Sequence, residues 1–556
     1  MLEVSGENPF RIRAYQKASR LLSDMGESVA EQVERGDDLT SLPGIGKDLA
    51  AKIVEIVKTG TLSALQTLHE TFPPEMTDLL KLPGLGPKKL KLLYDELGIT
   101  TLAQLEQAAR AGKLRELPGV AAKTEERLLK AIAYHVDMSQ RFLRAEVRSV
   151  AESLQNELAK VDPSATIQLG GSYRRQRDTV GDLDLVVASN ESAPWMDALT
   201  RFADVQEVLA KGETKTSVRL QNGLQVDLRV VAPESFGAAL CYFTGSKAHN
   251  IALRKQALSL GYRLNEYGLT REQEMLPMAT EEELYEHLEI PFVPPELRED
   301  RGEFQQSVPE LVTEKDIQGD LHMHTVASDG RATIREMAEA ALARGLSYIA
   351  ITDHSKRLTI ANGLDEGRLS EQIDEIDEIN ATLDGLTILK GSEVDILQDG
   401  SMDLSNEVLQ RLDLVIGAVH SGFDLSRDAQ TERILRAMDN ACFSVLAHPT
   451  GRRLLLRDAY EVDLARILNH AADRSCFVEL NANPQRLDLH DIHCRMAKER
   501  GVLVGIHTDA HRVKDLDNLP YGVGQARRGW LEKMDVLNTR SLPDLLNLLQ
   551  PTIRMS

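Results

Sequence analysis

The chain is short of cysteine, of long apolar runs and of positive charge. Cys241, Cys442, Cys476 and Cys494 are the only thiols in 556 residues, and no two stand in a CxxC pair or at a short metal-binding spacing. That usage excludes a disulfide-stapled secreted scaffold and a cysteine zinc finger, and it fits a reducing compartment. No apolar stretch approaches the roughly 18 residues of a membrane span, and the first ten residues lack the charged start and apolar core of an export signal. A cytoplasmic protein without a membrane partner is expected. The net charge of −21 excludes a broad basic footprint of the usual nucleic-acid-binding kind. It does not exclude DNA, because metal-binding carboxylates raise the acidic count and backbone amides at helix N-termini grip phosphate with few charged side chains. Histidine is scarce too: only His69, His135, His249 and His287 precede residue 320, and the other ten of the 14 follow it. That step marks a domain boundary near Asp320 in a chain long enough for roughly three to five domains.

Two clusters of potential metal ligands are present. Asp182-Leu183-Asp184 with Asp227 lies in the first half, and His322-Met323-His324 heads a scattered His/Asp/Glu set in the second. Residues i and i+2 of a strand project from one face, so each pair can hold a cation between two side chains. The first set is all oxygen, which suits Mg²⁺; the second is mostly imidazole, which suits Zn²⁺, Mn²⁺ or Fe.

In the first third a phrase recurs: Leu42-Pro43-Gly44-Ile45-Gly46, Leu82-Pro83-Gly84-Leu85-Gly86 and Leu117-Pro118-Gly119-Val120-Ala121, each between helical patterns. An apolar-Gly-apolar-Gly turn reverses the chain tightly and aims amides from the next helix's N-terminus, which can hold a phosphate. The phrase resembles the helix-hairpin-helix motif and implies sequence-independent contact with a DNA backbone through Gly44, Gly46, Gly84 and Gly86. The alternative is a set of Gly-capped turns that only pack. The third copy, with Ala121 for its second glycine, is the one expected to be structural. Lys88, Lys89 and Lys91 follow the second turn and read either as phosphate contacts or as a solvated face.

In the middle, Gly170-Gly171-Ser172-Tyr173-Arg174-Arg175 follows an apolar stretch and precedes the Asp182/Asp184 strand; Gln225 to Val231 reads as a further strand carrying Asp227. A Gly-Ser turn with a nearby arginine suits a triphosphate, and three carboxylates around two Mg²⁺ or Mn²⁺ ions suit phosphoryl transfer. GGSYRR, GDLDLVV, VDLRVV, YFTGS and LNEYGL in this order resemble the family X DNA polymerases of the polymerase β type. The resemblance implies that Asp182, Asp184 and Asp227 bind two metals, with Asp227 helping to deprotonate the primer 3′ hydroxyl. It implies that Gly171, Ser172 and Arg175 hold a dNTP triphosphate, Tyr242, Phe243 and Gly245 line the sugar pocket, Asn250 lies near the base and Arg254 near the template. Family members can carry a lyase lysine on the helix after the first turn, and Lys52 occupies the matching place. Such chains usually begin with a further helix before the equivalent of Gly6 to Tyr15; this one is expected to start inside it.

After residue 317, short apolar strands end in ligand-type residues: Asp320 to His324, Ile349 to His354, Leu389 to Glu393, Leu414 to His420, Val445 to His448, and Leu503 to Asp509 with His511. Helical segments Ile334 to Ala343 and Leu369 to Ile379 intervene. Strands alternating with helices, with functional residues at strand C-termini, describe a parallel barrel whose ligands converge. The series DLHMHT, SDG, TDH, SEVDI, VHS, AHP and TDAH resembles the PHP family of metal-dependent phosphoesterases. That implies one Mn²⁺ or Zn²⁺ on His322, His324, Glu393 and Asp509, a second bridged by Glu393 and held by His420 and His448, and a third on Asp329, His354 and His511. Some relatives have histidine at the position of Asp329. His470, His490, His493 and His507 are read as structural.

The expected fold class is multidomain α/β: helical helix-hairpin-helix domains over 1–72 and 73–140, a nucleotidyltransferase palm over 141–234, a thumb over 235–300, a linker over 301–317, and a distorted (β/α)7 PHP barrel over 318–556. Together the resemblances point to the bacterial family X polymerases that carry a C-terminal PHP domain. They imply a monomeric gap-filling polymerase of base excision repair, acting on gapped or nicked DNA, with a 3′–5′ exonuclease and AP endonuclease action. The rival expectations give the barrel a small phosphate ester or a purely structural role.

Overall fold

The computed structural model describes residues 2–24, 29–80, 85–117, 141–272 and 274–554. It forms two compact units, residues 1–141 and 142–556. The first is helical. Its helix Lys47–Thr59 starts at Gly46, with no side chain capping the first amides, and stops at left-handed Gly60, whose N–H donates to the Ile56 carbonyl at 2.8 Å. Gly44 makes the reversal ahead of it with φ +85, a conformation glycine adopts without strain. Ile45 and Ile53 pack with Leu39 and Ala18 beneath that turn. Helix Pro87–Leu97 repeats the arrangement, with Gly86 before it, Pro87 in its first turn and Gly98 left-handed behind it. Open space lies where a Cβ on Gly44, Gly46 or Gly86 would stand. Gly84 and residues 118–121 of the third phrase lie outside the described residues.

The second unit opens with a five-stranded sheet: β1 (Ile167–Leu169), β2 (Asp182–Ala188), β3 (Val205–Lys211), β4 (Lys215–Leu220) and β5 (Gln225–Val231), in the order β1-β2-β5-β4-β3. β2 and β5 run parallel; the other pairs are antiparallel. Alternation decides what each face does. Leu183, Leu185 and Val187 with Val226, Leu228 and Val230 bury against Val147, Ala151, Leu154 and Leu158 of helix Arg144–Ala159. Asp182, Asp184 and Asp227 therefore face the other way. Farther along that second face, Val186 packs on Phe236, Ala239 and Leu240 of helix Phe236–Thr244. Helix Lys247–Ser259 and a small antiparallel sheet (Arg263–Asn265, Gly268–Arg271, Glu274–Leu276) follow.

Beyond residue 318, seven parallel strands stand side by side in chain order: β6 (Gly319–Asp320), β7 (Tyr348–Ile351), β8 (Thr387–Asp395), β9 (Leu414–Ala418), β10 (Val445–Leu446), β11 (Phe477–Asn481) and β12 (Val504–His507). Strands such as β7 and β9 are buried on both faces, as in parallel sheets covered by helices. The barrel is nearly closed. Buried Asn538 donates to the carbonyls of Gly319 and Ile506, both at 2.7 Å, joining the first strand to the last. Helix Ile334–Ala343 has the expected bounds, and the next runs Glu366–Asn380. Strand β11 was not anticipated, because its run ends in asparagine rather than in histidine.

The stretch expected as a linker is not one. Leu311 and Val312 are buried, and the Val312 N–H donates to the Leu531 carbonyl at 2.9 Å. Arg301 pairs with Asp491 at 3.1 Å and Glu303 with His249 at 2.9 Å. Just ahead, Glu296 and Glu299 pair with Arg527 (2.8 Å) and Arg528 (3.1 Å) of the barrel. Arg301, Glu303, Glu296 and Glu299 thus find their partners far away in sequence.

Candidate active sites

On the palm, the parallel register sets Asp182 beside Gln225 and Asp184 beside Asp227, so the three expected carboxylates share one face. The Gly171–Arg174 turn sits over them. The Gly170 N–H donates to the Asp184 carbonyl at 2.8 Å. A Cβ on Gly171, which has φ +60, would fall 2.3 Å from Asp184 Oδ2. Only glycine lets the turn approach the carboxylate this closely, and this ties the expected triphosphate turn to the expected metal ligands. Burial, then repulsion from Asp182 and Asp227, pushes the Asp184 carboxyl up to about 7, against the opposing pull of Lys215 and Arg229. Lys215 Nζ lies 3.0 Å from Asp227 Oδ2, and Gln225 Nε2 donates to Asp227 Oδ1 at 3.0 Å. Three converging carboxylates that crowd one another fit divalent cations with oxygen ligands.

The turn is clamped to the helix Phe236–Thr244. Arg175 Nη1 donates to the Thr244 carbonyl at 2.5 Å, and its Nε pairs with Glu299 at 3.1 Å. Arg174 donates to Thr244 Oγ1 at 2.7 Å and pairs with Glu281. Where a Cβ on Gly245 would stand, Arg175 Nη1 is 3.1 Å away. Ser172 follows Gly171 within the turn. Beside it, the Tyr242 and Phe243 rings meet edge to face with centroids 5.0 Å apart. Arg254 lies over Tyr242 at 5.3 Å, and Asn250 Nδ2 donates to the Tyr242 carbonyl at 2.7 Å. All of these residues thus belong to one neighbourhood.

Lys52, in the first unit, is placed differently from what its expected role requires. Its Nζ is 2.5 Å from Asp48 Oδ2 and 5.2 Å from the Tyr15 ring centre. Burial pulls the amine down, but the bonds to Asp48 and Tyr15 outweigh it and leave the pKa raised. A Schiff-base nucleophile needs the opposite shift.

In the barrel, the nine expected ligands converge at the C-terminal ends of the strands. Among the described residues three groups have donor atoms close enough to share a cation: His324, Asp329, His354 and His511; His322, His324 and Asp509; His354, Glu393 and His420. Glu393 is central. Its Oε1 lies 2.9 Å from His448 Nε2 and 3.3 Å from His420 Nε2, and its Oε2 lies 2.8 Å from His354 Nδ1. His324 Nε2 is 3.1 Å from Asp509 Oδ1, and Asp329 Oδ1 is 3.4 Å from His511 Nε2. The grouping differs in detail from the expected one, since His324 joins the Asp329 group and His354 also reaches Glu393.

A second layer orients these rings. Glu479 Oε1 pairs with His322 Nδ1 at 2.6 Å, and its Oε2 accepts the backbone N–H of His448 at 2.7 Å. Asp395 holds His420 Nδ1 at 3.2 Å, and the Asp509 carbonyl holds His511 Nδ1 at 2.9 Å. His322, His420 and His511 are thus fixed through Nδ1 with Nε2 turned inward, as metal-ligating histidines are. His322 Nε2 and His324 Nδ1 are buried without a hydrogen-bond partner. Orphaned donor atoms of this kind are costly in a dry interior and fit a bound cation. Burial pulls His420 and His511 down, but neighbouring carboxylates outweigh it and raise each to about 9.

Family models match in the same order along the chain: a helix-hairpin-helix domain over residues 1–62, a SAM-like helix-hairpin-helix tandem over 76–133, a DNA polymerase beta palm over 141–237, a DNA polymerase beta thumb over 239–299, and a PHP domain over 320–483. The chain is 40% identical over 551 residues to the DNA polymerase/3′-5′ exonuclease PolX of Bacillus subtilis (strain 168), which covers 98% of this chain and 96% of that protein. The chain belongs to the PHP-bearing family X DNA polymerases. The chain is also 29% identical over 307 residues to a DNA polymerase lambda of Arabidopsis thaliana, covering 49% of this chain and 55% of that protein. A probable phosphatase of Caldanaerobacter subterraneus is 31% identical over 204 residues, 34% of this chain and 75% of that one.

Sequence reasoning missed Glu479, Asp395, Lys215 and Arg229 as parts of these sites. Arg229 stands two residues beyond Asp227 on the same face of β5, with its guanidinium 4.3 Å from the Phe243 ring centre, so alternation would have found it. His507, read as structural, lies 3.3 Å from Glu479 Oε1 on the interior of β12.

Proposed function

We propose that this family X member is a template-directed, gap-filling DNA polymerase of base excision repair that also trims DNA 3′ ends at its PHP centre. The reading extends to endonucleolytic cutting at abasic sites. One observation carries it: a palm register that sets Asp184 against Asp227 under the Gly171 turn shares one compact unit with a converged nine-ligand barrel centre.

Asp182, Asp184 and Asp227 would hold two Mg²⁺ or Mn²⁺ ions, and the barrel ligands up to three Mn²⁺ or Zn²⁺ ions. When bound, these ions supply countercharge to the phosphoryl group and acidify the attacking hydroxyl or water. The chain's own residues do the rest. Gly171, Ser172 and Arg175 bind the dNTP triphosphate, the Tyr242–Phe243 wall with Gly245 orients the sugar, Asn250 and Arg254 address the base and template, and Asp227 takes the primer hydroxyl proton. In the barrel, Glu479 and Asp395 hold Nδ1 of His322 and of His420 and leave each Nε2 facing inward, so these rings need not reorganise. Gly44, Gly46 and Gly86 grip the DNA backbone of a gap or nick through helix amides. Four free, buried cysteines support a reducing compartment, the cytoplasm, and we place the protein there as a monomer.

Likeness to probable phosphatases favours a second reading, in which the barrel hydrolyses a small phosphate ester. Labelled one-nucleotide-gap and abasic duplexes, with Mn²⁺ and with or without dNTPs, are compared with p-nitrophenyl phosphate. Gap filling with dNTPs and 3′ shortening without them are expected. Turnover of the small ester with DNA left intact would transfer the barrel to the second reading.

A further inference from the structure

Three loops that follow ligand-bearing strands of the barrel end in bare apolar side chains. Val326 after His324 is 56% exposed, Ile360 after His354 is 94% exposed, and Leu455 and Leu456 after His448 are 53% and 68% exposed. Isolated apolar residues on mobile loops need no explanation. The leucine loop is different, because several contacts hold its base. Arg453 and Arg457 pair their backbones at 2.8 and 2.7 Å to close a tight hairpin, and Leu455 at its tip has φ +63, uncommon for a residue other than glycine. The Leu454 N–H donates to the Gln485 carbonyl at 2.7 Å, and Arg457 lies 4.1 Å from the Phe423 ring centre and donates to the Gly451 carbonyl. Behind it, the Tyr460 hydroxyl donates to the Pro449 carbonyl at 2.8 Å. A stiff hairpin thus holds two leucines out into solvent.

The hairpin is also linked to the ligand centre through a neighbouring loop. Gln485, which it grips, precedes Arg486, whose Nε lies 3.5 Å from Asp509 Oδ2. Exposed Arg453 and Arg457 flank the leucines, in a chain whose overall charge is −21. An apolar tip between two cations, beside a phosphoesterase centre, complements a nucleic-acid strand: bases offer apolar faces and phosphates offer charge. Side chains such as leucine act as wedges between base steps.

We propose that Leu455 and Leu456 form a wedge that parts the 3′-terminal base pair of duplex DNA and delivers the freed end to the barrel centre, while the flanking arginines hold the phosphates. This rests on the exonuclease reading above. A single-stranded 3′ end has no pair to part, so the leucines should matter only for paired ends.

The test uses the full chain with Leu455→Ser/Leu456→Ser and Mn²⁺, and four readouts: trimming of a paired 3′ end, trimming of a single strand of the same sequence, hydrolysis of bis(p-nitrophenyl) phosphate, and sedimentation. The expected result is a loss of about tenfold or more on the paired end, with the single strand and the small diester unchanged. Equal loss on both DNAs, or no loss on either, overturns the wedge while leaving the exonuclease reading in place. Wild type that trims neither DNA removes both. A change of oligomeric state in the variant would show that the leucines hold a second copy of the chain, and would also overturn the wedge.

Discussion

Asp184 shares the palm face with two more carboxylates and a single close lysine, and the consequence is a measurable dependence on pH. Its folded pKa of about 7 lies above the ordinary 3.8. The folded, metal-free protein therefore binds this proton more tightly than the unfolded chain, so stability at this group is greatest below about pH 4 and is lost as pH rises through 7. Melting in EDTA should show wild type losing stability relative to Asp184→Asn between about pH 5 and pH 8, by no more than about 4 kcal/mol. A pH-independent difference would contradict the crowding. Divalent cations should stabilise wild type increasingly over the same range, because the ligand must first ionise. Glu479 poses a different residue-level question. It touches His322, His448 and His507 without being in any of the three ligand groups, so Glu479→Gln should cost about 10- to 100-fold in 3′ trimming and leave dNTP incorporation intact. Asp182 and Asp184 were legible because alternation along a strand is local; Glu479 was not, because one glutamate in an apolar run means something only when the barrel brings His322 to it.

Strands and turns tell the same story one level up. The ligand-bearing strands could be read because an apolar run ending in histidine or aspartate is unusual. β11 carried no such ending and was missed, although it provides Glu479 and Asn481, the latter donating to Asp509 Oδ2 at 3.1 Å. The Gly-Gly-Ser turn was legible as a phosphate-binding element, but not its proximity to Asp184. That proximity makes Gly171→Ala informative: the added methyl overlaps Asp184 Oδ2 in a left-handed backbone, and the turn or the carboxylate must move. Incorporation should fall by about 10²-fold through misplacement, with 3′ trimming by the barrel unaffected. Primer extension and single-strand digestion on the same preparation measure both.

Across the whole molecule, the domain order was legible from composition and motif, whereas the joint between polymerase and barrel was not. Residues 301–317 read as a linker, yet Arg301 meets Asp491 of the barrel at 3.1 Å; just ahead of that stretch, Arg528 of the barrel lies buried between Glu299 and Asp491, at 3.1 and 2.7 Å, and donates to the Arg175 carbonyl at 2.8 Å. Arg452 of the barrel likewise meets Asp178 of the palm at 3.4 Å. Breaking a buried pair strands its partner's charge, so this joint is built to stay shut. Two chemistries are thereby held in one compact unit, one centre built of carboxylates and the other mostly of imidazoles. The measurement that tests this most directly follows a labelled one-nucleotide-gap duplex with Mn²⁺, with and without dNTPs, for wild type, Asp184→Ala and His324→Ala in parallel. The account predicts that Asp184→Ala loses extension alone and His324→Ala loses 3′ trimming alone; trimming that survives His324→Ala, or extension that survives Asp184→Ala, would contradict it.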